Sequence, residues 1–280
     1  MNKHIRRAVA ALSMAFAGAG CVINVDGDSL IVREEKRFSI SGDAEVALET
    51  FDGSLRVRSW DRPEVLVEIE KHGPDREAAA ALEVAATQNG NRIEVRAPAP
   101  KSSREFVGIG IVRGASVSFT VSVPRTAVLS AETRDGSITV EGATGAIDLR
   151  SGDGSIRGTD LDGDVEARTE DGSIHIEGAL GALRVASGDG SVVIEAGDGS
   201  AMKGDWDIST DDGAIVFRVP ETFNADIDAA SDDGSVRGDL NGLERNKEDD
   251  GRQWLKGRLG SGGHRVRLRS GDGSIRVVNR

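Results

Sequence analysis

A chain of 280 residues, 38% hydrophobic and 29% charged, is long enough for one large domain or two ordinary ones with a sizeable core. Its formal net charge of -12 repels nucleic acid and anionic lipid at long range, so nucleic acid is not expected as a partner. Tyr is absent and aromatic residues reach only 4%, which leaves few platforms for stacking on bases or sugars.

Residues 1–20 read as a signal peptide. Lys3, Arg6 and Arg7 form a basic start, and Ala8 to Ala19 is an apolar stretch of small residues too short for a stable membrane span. The stretch ends in Gly18-Ala19-Gly20-Cys21, and Cys21 is the sole cysteine, so an intrachain disulfide is excluded. Its position resembles the lipidated cysteine of bacterial lipoproteins, although Gly18 stands where a bulky apolar residue is usual. Ordinary cleavage after Ala17 or Ala19 is the other reading. Either route exports the chain, and the expected location is the cell envelope.

Residues 21–37 are expected to be a linker, and residues 38–127 the first strands with a helix-bearing cap. Val65, Val67 and Ile69 alternate as a strand. Pro74-Asp75 then opens a helix expected over 76–87, closed by Asn89-Gly90, with Ala78, Ala81, Leu82 and Ala85 on one face. Ile93-Val95 and Val117 to Val123 are further strands, the latter stopped by Pro124. A solenoid end exposes unpaired backbone, so this insert is expected to cap it. An unrelated small domain is the alternative.

From residue 128 to 280 a repeat dominates: apolar, any, apolar, any, Ser/Thr, any, Asp, Gly, Ser/Ala, apolar. Its regular copies place Asp135-Gly136, Asp153-Gly154, Asp171-Gly172 and Asp189-Gly190 at intervals of 18 residues. Four outlying copies hold Asp52-Gly53, Asp212-Gly213, Asp233-Gly234 and Asp272-Gly273. Every copy keeps a hydroxyl two residues before the Asp, from Thr50 to Ser270. Alternation of period two specifies strands with one buried face. Asp-Gly is expected to supply the positive φ of a tight turn, with the Asp carboxylate bonding nearby N–H groups. Gly145, Gly163, Gly181 and Gly199 mark a second turn nine residues on. One such unit cannot bury its apolar face, but stacked units can. A hairpin meander would use the same turns, yet strict recurrence at 18 favours a coil. The expected fold is therefore all-β: a repetitive parallel β-solenoid with two strands per 18-residue rung and a small helix-containing N-terminal cap.

This order of segments, ending in serial Thr/Ser-x-Asp-Gly-Ser-Ile units, resembles the bacterial putative-adhesin family, a domain of unknown function, over about residues 38–280. The resemblance implies a β-solenoid in envelope-associated or secreted proteins and carries no catalytic residues.

Two kinds of chemistry could hide in the repeat. Asp153, Asp171 and Asp189, stacked about 4.8 Å apart, would approach the carboxylate separation of retaining glycosidases. Their presence in every copy instead points to turn chemistry. Asp160-Leu161-Asp162-Gly163-Asp164 packs three carboxylates closely but matches no calcium loop. Gly108-Ile109-Gly110 lacks the strand-turn-helix context of a dinucleotide site, and His72, His175 and His264 lack partners of an acid–base site. No catalytic, cofactor or metal residues are expected. The expected function is a non-catalytic envelope or surface module acting on an unknown envelope protein or glycan and touching the membrane only through Cys21. A carbohydrate-active β-helix enzyme is the alternative.

Overall fold

The computed structural model describes residues 22–24, 31–100, 114–247 and 252–280. Within them the protein is all-β apart from one short helix. The first third of the chain contains β1 (Val22–Asn24), β2 (Ile31–Ser39), β3 (Ala44–Thr50), β4 (Leu55–Trp60), β5 (Glu64–His72), α1 (Arg76–Ala81), β6 (Ala85–Asn89), β7 (Arg92–Ala97) and β8 (Ser116–Pro124). The regular repeat forms β9 (Ala127–Thr133), β10 (Ile138–Glu141), β11 (Thr144–Ser151), β12 (Ile156–Thr169), β13 (Ile174–Ser187) and β14 (Val192–Ala196). The remainder forms β15 (Trp206–Thr210), β16 (Ile215–Val219), β17 (Ala225–Ser231), β18 (Val236–Gly238), β19 (Leu243–Lys247), β20 (Gln253–Leu259), β21 (Arg265–Ser270) and β22 (Ile275–Asn279).

These strands build two walls. In the first, parallel pairing runs β7, β3, β9, β11, the end of β12, the end of β13, β15, β21, β17. In the second it runs β8, β4, β10, the start of β12, the start of β13, β14, β16, β22, β18. Equivalent residues fall opposite one another, as in Ile138, Ile156, Ile174 and Val192. Their side chains point inward and meet Leu129, Ile147, Val165 and Leu183 of the first wall in one continuous apolar core. Antiparallel strands end the parallel runs. β5, β2 and β1 extend the second wall below β8; β6 flanks β7, and β20 and β19 follow β17.

Chain order and spatial order part company at both ends. The strand pair β3–β4 sits between β7–β8 and β9–β10, and the last pair, β21–β22, is inserted between β15–β16 and β17–β18. A coil wound strictly in chain order is thus corrected: any copy's apolar face fits any other's, so identical patterning permits insertion.

Two local expectations also change. The helix expected over 76–87 ends at Ala81, where Leu82 turns extended, and Ala85–Asn89 pairs antiparallel with Arg92–Ala97. Asn89-Gly90, with Gly90 at φ +62, belongs to that hairpin and not to a helix end. Sheet hydrogen bonds outweigh the helix propensity of Ala85 and Ala86. Asp75 does cap the helix, accepting from the Ala78 N–H at 2.8 Å. Ile31 to Arg37, expected in a linker, belong to β2, which pairs along its whole length with β5.

Candidate functional site

The Asp-Gly pairs line one edge of the stack, in the bends that join first-wall to second-wall strands. The residues that organise this edge are the hydroxyls. All eight, Thr50, Thr133, Ser151, Thr169, Ser187, Thr210, Ser231 and Ser270, are buried. Ser187 is typical: its hydroxyl accepts from the Gly190 N–H at 3.0 Å and donates to the Gly172 carbonyl of the neighbouring rung at 2.9 Å. Ser151 and Ser270 repeat both bonds. A buried hydroxyl thereby satisfies two backbone groups and ties successive rungs together.

Positive φ does not explain the glycines. Of the eight only Gly53 lies in that region, at φ +125. Gly136, Gly154, Gly172, Gly190, Gly213, Gly234 and Gly273 are required for another reason. A Cβ on any of them would come closer than 3.0 Å to the carbonyl oxygen of the glycine on the adjacent rung. Only hydrogen fits where backbones approach so closely.

The Asp carboxylates are outward decoration. Asp135, Asp153, Asp171, Asp189, Asp212, Asp233 and Asp272 are exposed, and among the described residues none of them accepts a hydrogen bond, contrary to the expected turn bonding. Asp52, half-buried at the lower end, differs: burial raises its pKa, the Asp135 carboxylate raises it further, and the Gly53 N–H lowers it.

The other candidate groups are dispersed. Asp164 holds Lys203 at 2.9 Å and the Ala182 N–H at 2.8 Å, both of which keep its carboxyl below the usual range. Among the described residues no group of three or more His, Cys, Asp or Glu is placed to hold a metal ion. His72 lies 4.0 Å from Glu70 and His264 3.8 Å from Asp205, both on the surface. Cys21 and Gly108 to Gly110 lie outside the described residues.

Two outer surfaces went unread in the sequence. On the first wall, Asp148 and Glu166 stand opposite each other on adjacent rungs beside a shallow groove of about 490 Å³ that Val128, 49% exposed, helps to line. Burial raises the Asp148 pKa, Arg150 lowers it, Glu166 raises it and Arg168 lowers it. Their 18-residue separation was the available signal. On the second wall, Arg56, Arg157, His175, Arg276 and Arg237 fall in one outward row. The row runs beside exposed Ser137, Ser155, Ser173 and Ser191. Burial, then Arg157, lowers the His175 pKa, while Glu195, 3.6 Å away, and Glu177 raise it.

The sequence pattern of one family matches residues 44–278, nearly the whole of this stack. The chain belongs to the Toastrack DUF4097 family. Solved structures similar to this Toastrack chain include a "putative cell adhesion protein" from Clostridium sporogenes, 12% identical, covering 89% of this chain and 100% of that one with a TM-score of 0.39. A "putative adhesin" from Bacteroides fragilis is also 12% identical, covering 89% and 97% with a TM-score of 0.43. A "putative lipid binding protein" from Parabacteroides distasonis is 10% identical, covering 88% and 96% with a TM-score of 0.31. Comparison with curated proteins finds no match.

Proposed function

We propose that the chain is a non-catalytic module of the bacterial cell envelope, exported by residues 1–20 and anchored by a lipid on Cys21. In this reading a β-solenoid of 18-residue rungs, with the helix-bearing region closing one end, contacts an envelope protein or glycan through an outer face. The observation that carries it is repetition. Catalysis needs one distinctive constellation, whereas Asp135, Asp153, Asp171 and Asp189 recur in the same exposed setting rung after rung. Repeated chemistry along a stack suits an extended partner.

Co-sedimentation of the purified chain with isolated envelope fragments tests the reading. Saturable binding without release of reducing ends supports it, and no binding at any salt concentration overturns it. The carbohydrate-active enzyme is supported by the Asp148–Glu166 juxtaposition, because one carboxyl of raised pKa beside another is the usual acid–base arrangement. Reducing ends released by the wild type and not by Asp148→Asn would transfer the function to that reading. For the anchor, a fatty-acid analogue is expected to label the wild type and not Cys21→Ser; equal labelling rejects lipidation there.

A further inference from the structure

We infer that the outer face of the second wall binds a single chain of an acidic polysaccharide laid along the stack axis. The inference rests on the reading of this protein as an envelope interaction module and names the class of its partner. Its basis is a row of cations left without partners on an otherwise acidic molecule. Arg56, Arg157, Arg276 and Arg237 are exposed, and none of them forms an ion pair or side-chain hydrogen bond among the described residues. On the first wall, by contrast, Arg92, Arg150, Arg168, Arg267 and Arg269 each hold a carboxylate. Between Arg56 and Arg237 the row contains no acid, with Thr139, His175, Val193 and Val216 in the places between the arginines, and below Arg56 the same register passes Thr120 before it reaches Glu68 and Glu35. In the next row Glu177 and Glu195 are paired with Arg280 at 2.7 Å and Arg218 at 3.0 Å.

Spacing and width select the ligand. Strands about 4.8 Å apart put Arg56 two rungs, about 9.6 Å, from Arg157, and make the whole row about 34 Å long. Charges spread over that length suit a linear polymer, not a small ion. The row is one side chain wide. Asp153, four residues from Arg157, lies in the bend at the Asp-Gly edge and outside the row. A single strand laid on the row runs alongside the acidic edge without crossing it, while a planar anionic bilayer pressed on the wall would cover both. Single-stranded nucleic acid binds largely by stacking on aromatics, and the row has no Phe, Tyr or Trp. The hydroxyls of Ser137, Ser155, Ser173 and Ser191 beside it suit sugar hydroxyls.

The test is titration of the purified full chain with polygalacturonate, neutral dextran, oligothymidylate and phosphatidylglycerol vesicles over a salt series. Polygalacturonate is expected to bind, with affinity falling as salt rises, and the other three are not. Arg56→Ser/Arg157→Ser/Arg276→Ser should weaken binding about tenfold or more, while Arg150→Ser/Arg168→Ser/Arg184→Ser, with equal loss of charge on the first wall, should leave it within about twofold. Thr139→Arg, which fills a gap in the row, should tighten binding and keeps the test decisive if the triple variant misfolds. Equal losses in the two triple variants, no gain from Thr139→Arg, or preference for vesicles or oligothymidylate overturns the inference. If envelope fragments still sediment with the protein in that case, the module reading survives without it.

Discussion

The two edges of the stack obey different rules. Along the Asp-Gly edge the same turn recurs, with a buried hydroxyl bridging rungs and a glycine against the glycine carbonyl next to it. At the opposite edge β12 and β13 run uninterrupted from the second wall to the first as 14-residue strands, with register shifts between them. The insertions that lengthen the repeat, 197–205, 220–224 and the stretch carrying β19 and β20, emerge there as well. Gly145, Gly163 and Gly178 take positive φ at that edge and also lie against the carbonyls of Ala127, Gly145 and Leu161 on the neighbouring rungs, while Gly199 would meet only the Ala179 side chain and Gly204 nothing at all. Close backbone packing is therefore unbroken along the Asp-Gly edge and only local at the opposite one, where length varies.

The strongest way to break this contrast is to place a side chain where the rungs touch. Gly172→Val should abolish the cooperative melting transition, because its Cβ would collide with the Gly154 carbonyl and neighbouring backbone that cannot rotate away. Gly172→Ala gives a graded version costing about 3 kcal/mol. Gly204→Ala at the opposite edge should be neutral or stabilise by roughly 0.4–1 kcal/mol through the unfolded state. Equal melting points for the two alanine variants would show that the edges do not differ.

Next in size is the wall between the edges. Ile174 is 1% exposed in the core, while His175 projects outward. Ile174→Asp is expected to cost about 3–5 kcal/mol, because it exchanges apolar burial for an unpaired charge. His175→Asp, at a half-buried position beside Glu195, should cost less, about 1–2 kcal/mol. Comparable denaturation midpoints would shift the strand register by one.

The hydroxyl column sharpens the comparison further. Thr169→Val leaves the Gly172 N–H and the Gly154 carbonyl short of a partner, while the Gly152 carbonyl keeps the Glu170 N–H, and should cost about 1–3 kcal/mol. Thr169→Ser should restore most of it. Asp171→Asn, at the tip of the same turn, should stay within about 0.5 kcal/mol, since its carboxylate makes no bond among the described residues. Chemical denaturation of the three variants measures the order, and an Asp171→Asn loss as large as that of Thr169→Val would return the Asp to a structural role.

Alternation, hydroxyl, Asp and Gly were legible because each repeats against its own copy 18 residues away. The strand pairs at the ends were not, since eight copies of one pattern carry no label saying which neighbour each will find; Asp272-Gly273 reads like Asp233-Gly234 yet lies between it and Asp212-Gly213. The reason for glycine was also hidden. Asp-Gly is the usual mark of positive φ, and a close approach between rungs leaves the same letters. Ala85 and Ala86 favoured helix locally and were overruled by pairing with Val95 and Arg96. In the Arg56–Arg237 row Thr139, Arg157, His175 and Val193 keep the 18-residue interval, but Arg56, Arg276 and Arg237 come from distant stretches of chain, so the row of cations exists only once the pairing is known.

The smallest effect expected lies on the outer face of the first wall. Asp148 is about one-third exposed, and one of its oxygens is buried without a hydrogen-bond partner while the other takes Arg150 at 2.8 Å. Burial outweighs that arginine, so the folded carboxyl titrates above its ordinary value, with Glu166 adding to the rise and Arg168 opposing it. A carboxyl raised in the fold contributes stability that is complete below its unfolded pKa of about 3.9 and is lost as pH climbs through the folded value. At pH 7 the wild type has lost that contribution. Asp148→Asn, which carries no charge to desolvate, should then melt at or slightly above the wild type, by under about 1 kcal/mol because solvent screens the site. Below pH 3.5 or so, where the wild-type carboxyl is itself neutral, the advantage should vanish. Melting curves of both proteins from pH 3 to 8 decide the matter: a variant less stable than the wild type at pH 7 and equal to it at pH 3 would mean that the bond to Arg150 governs Asp148, and that this wall, like the Asp-Gly edge, is held by specific polar contacts.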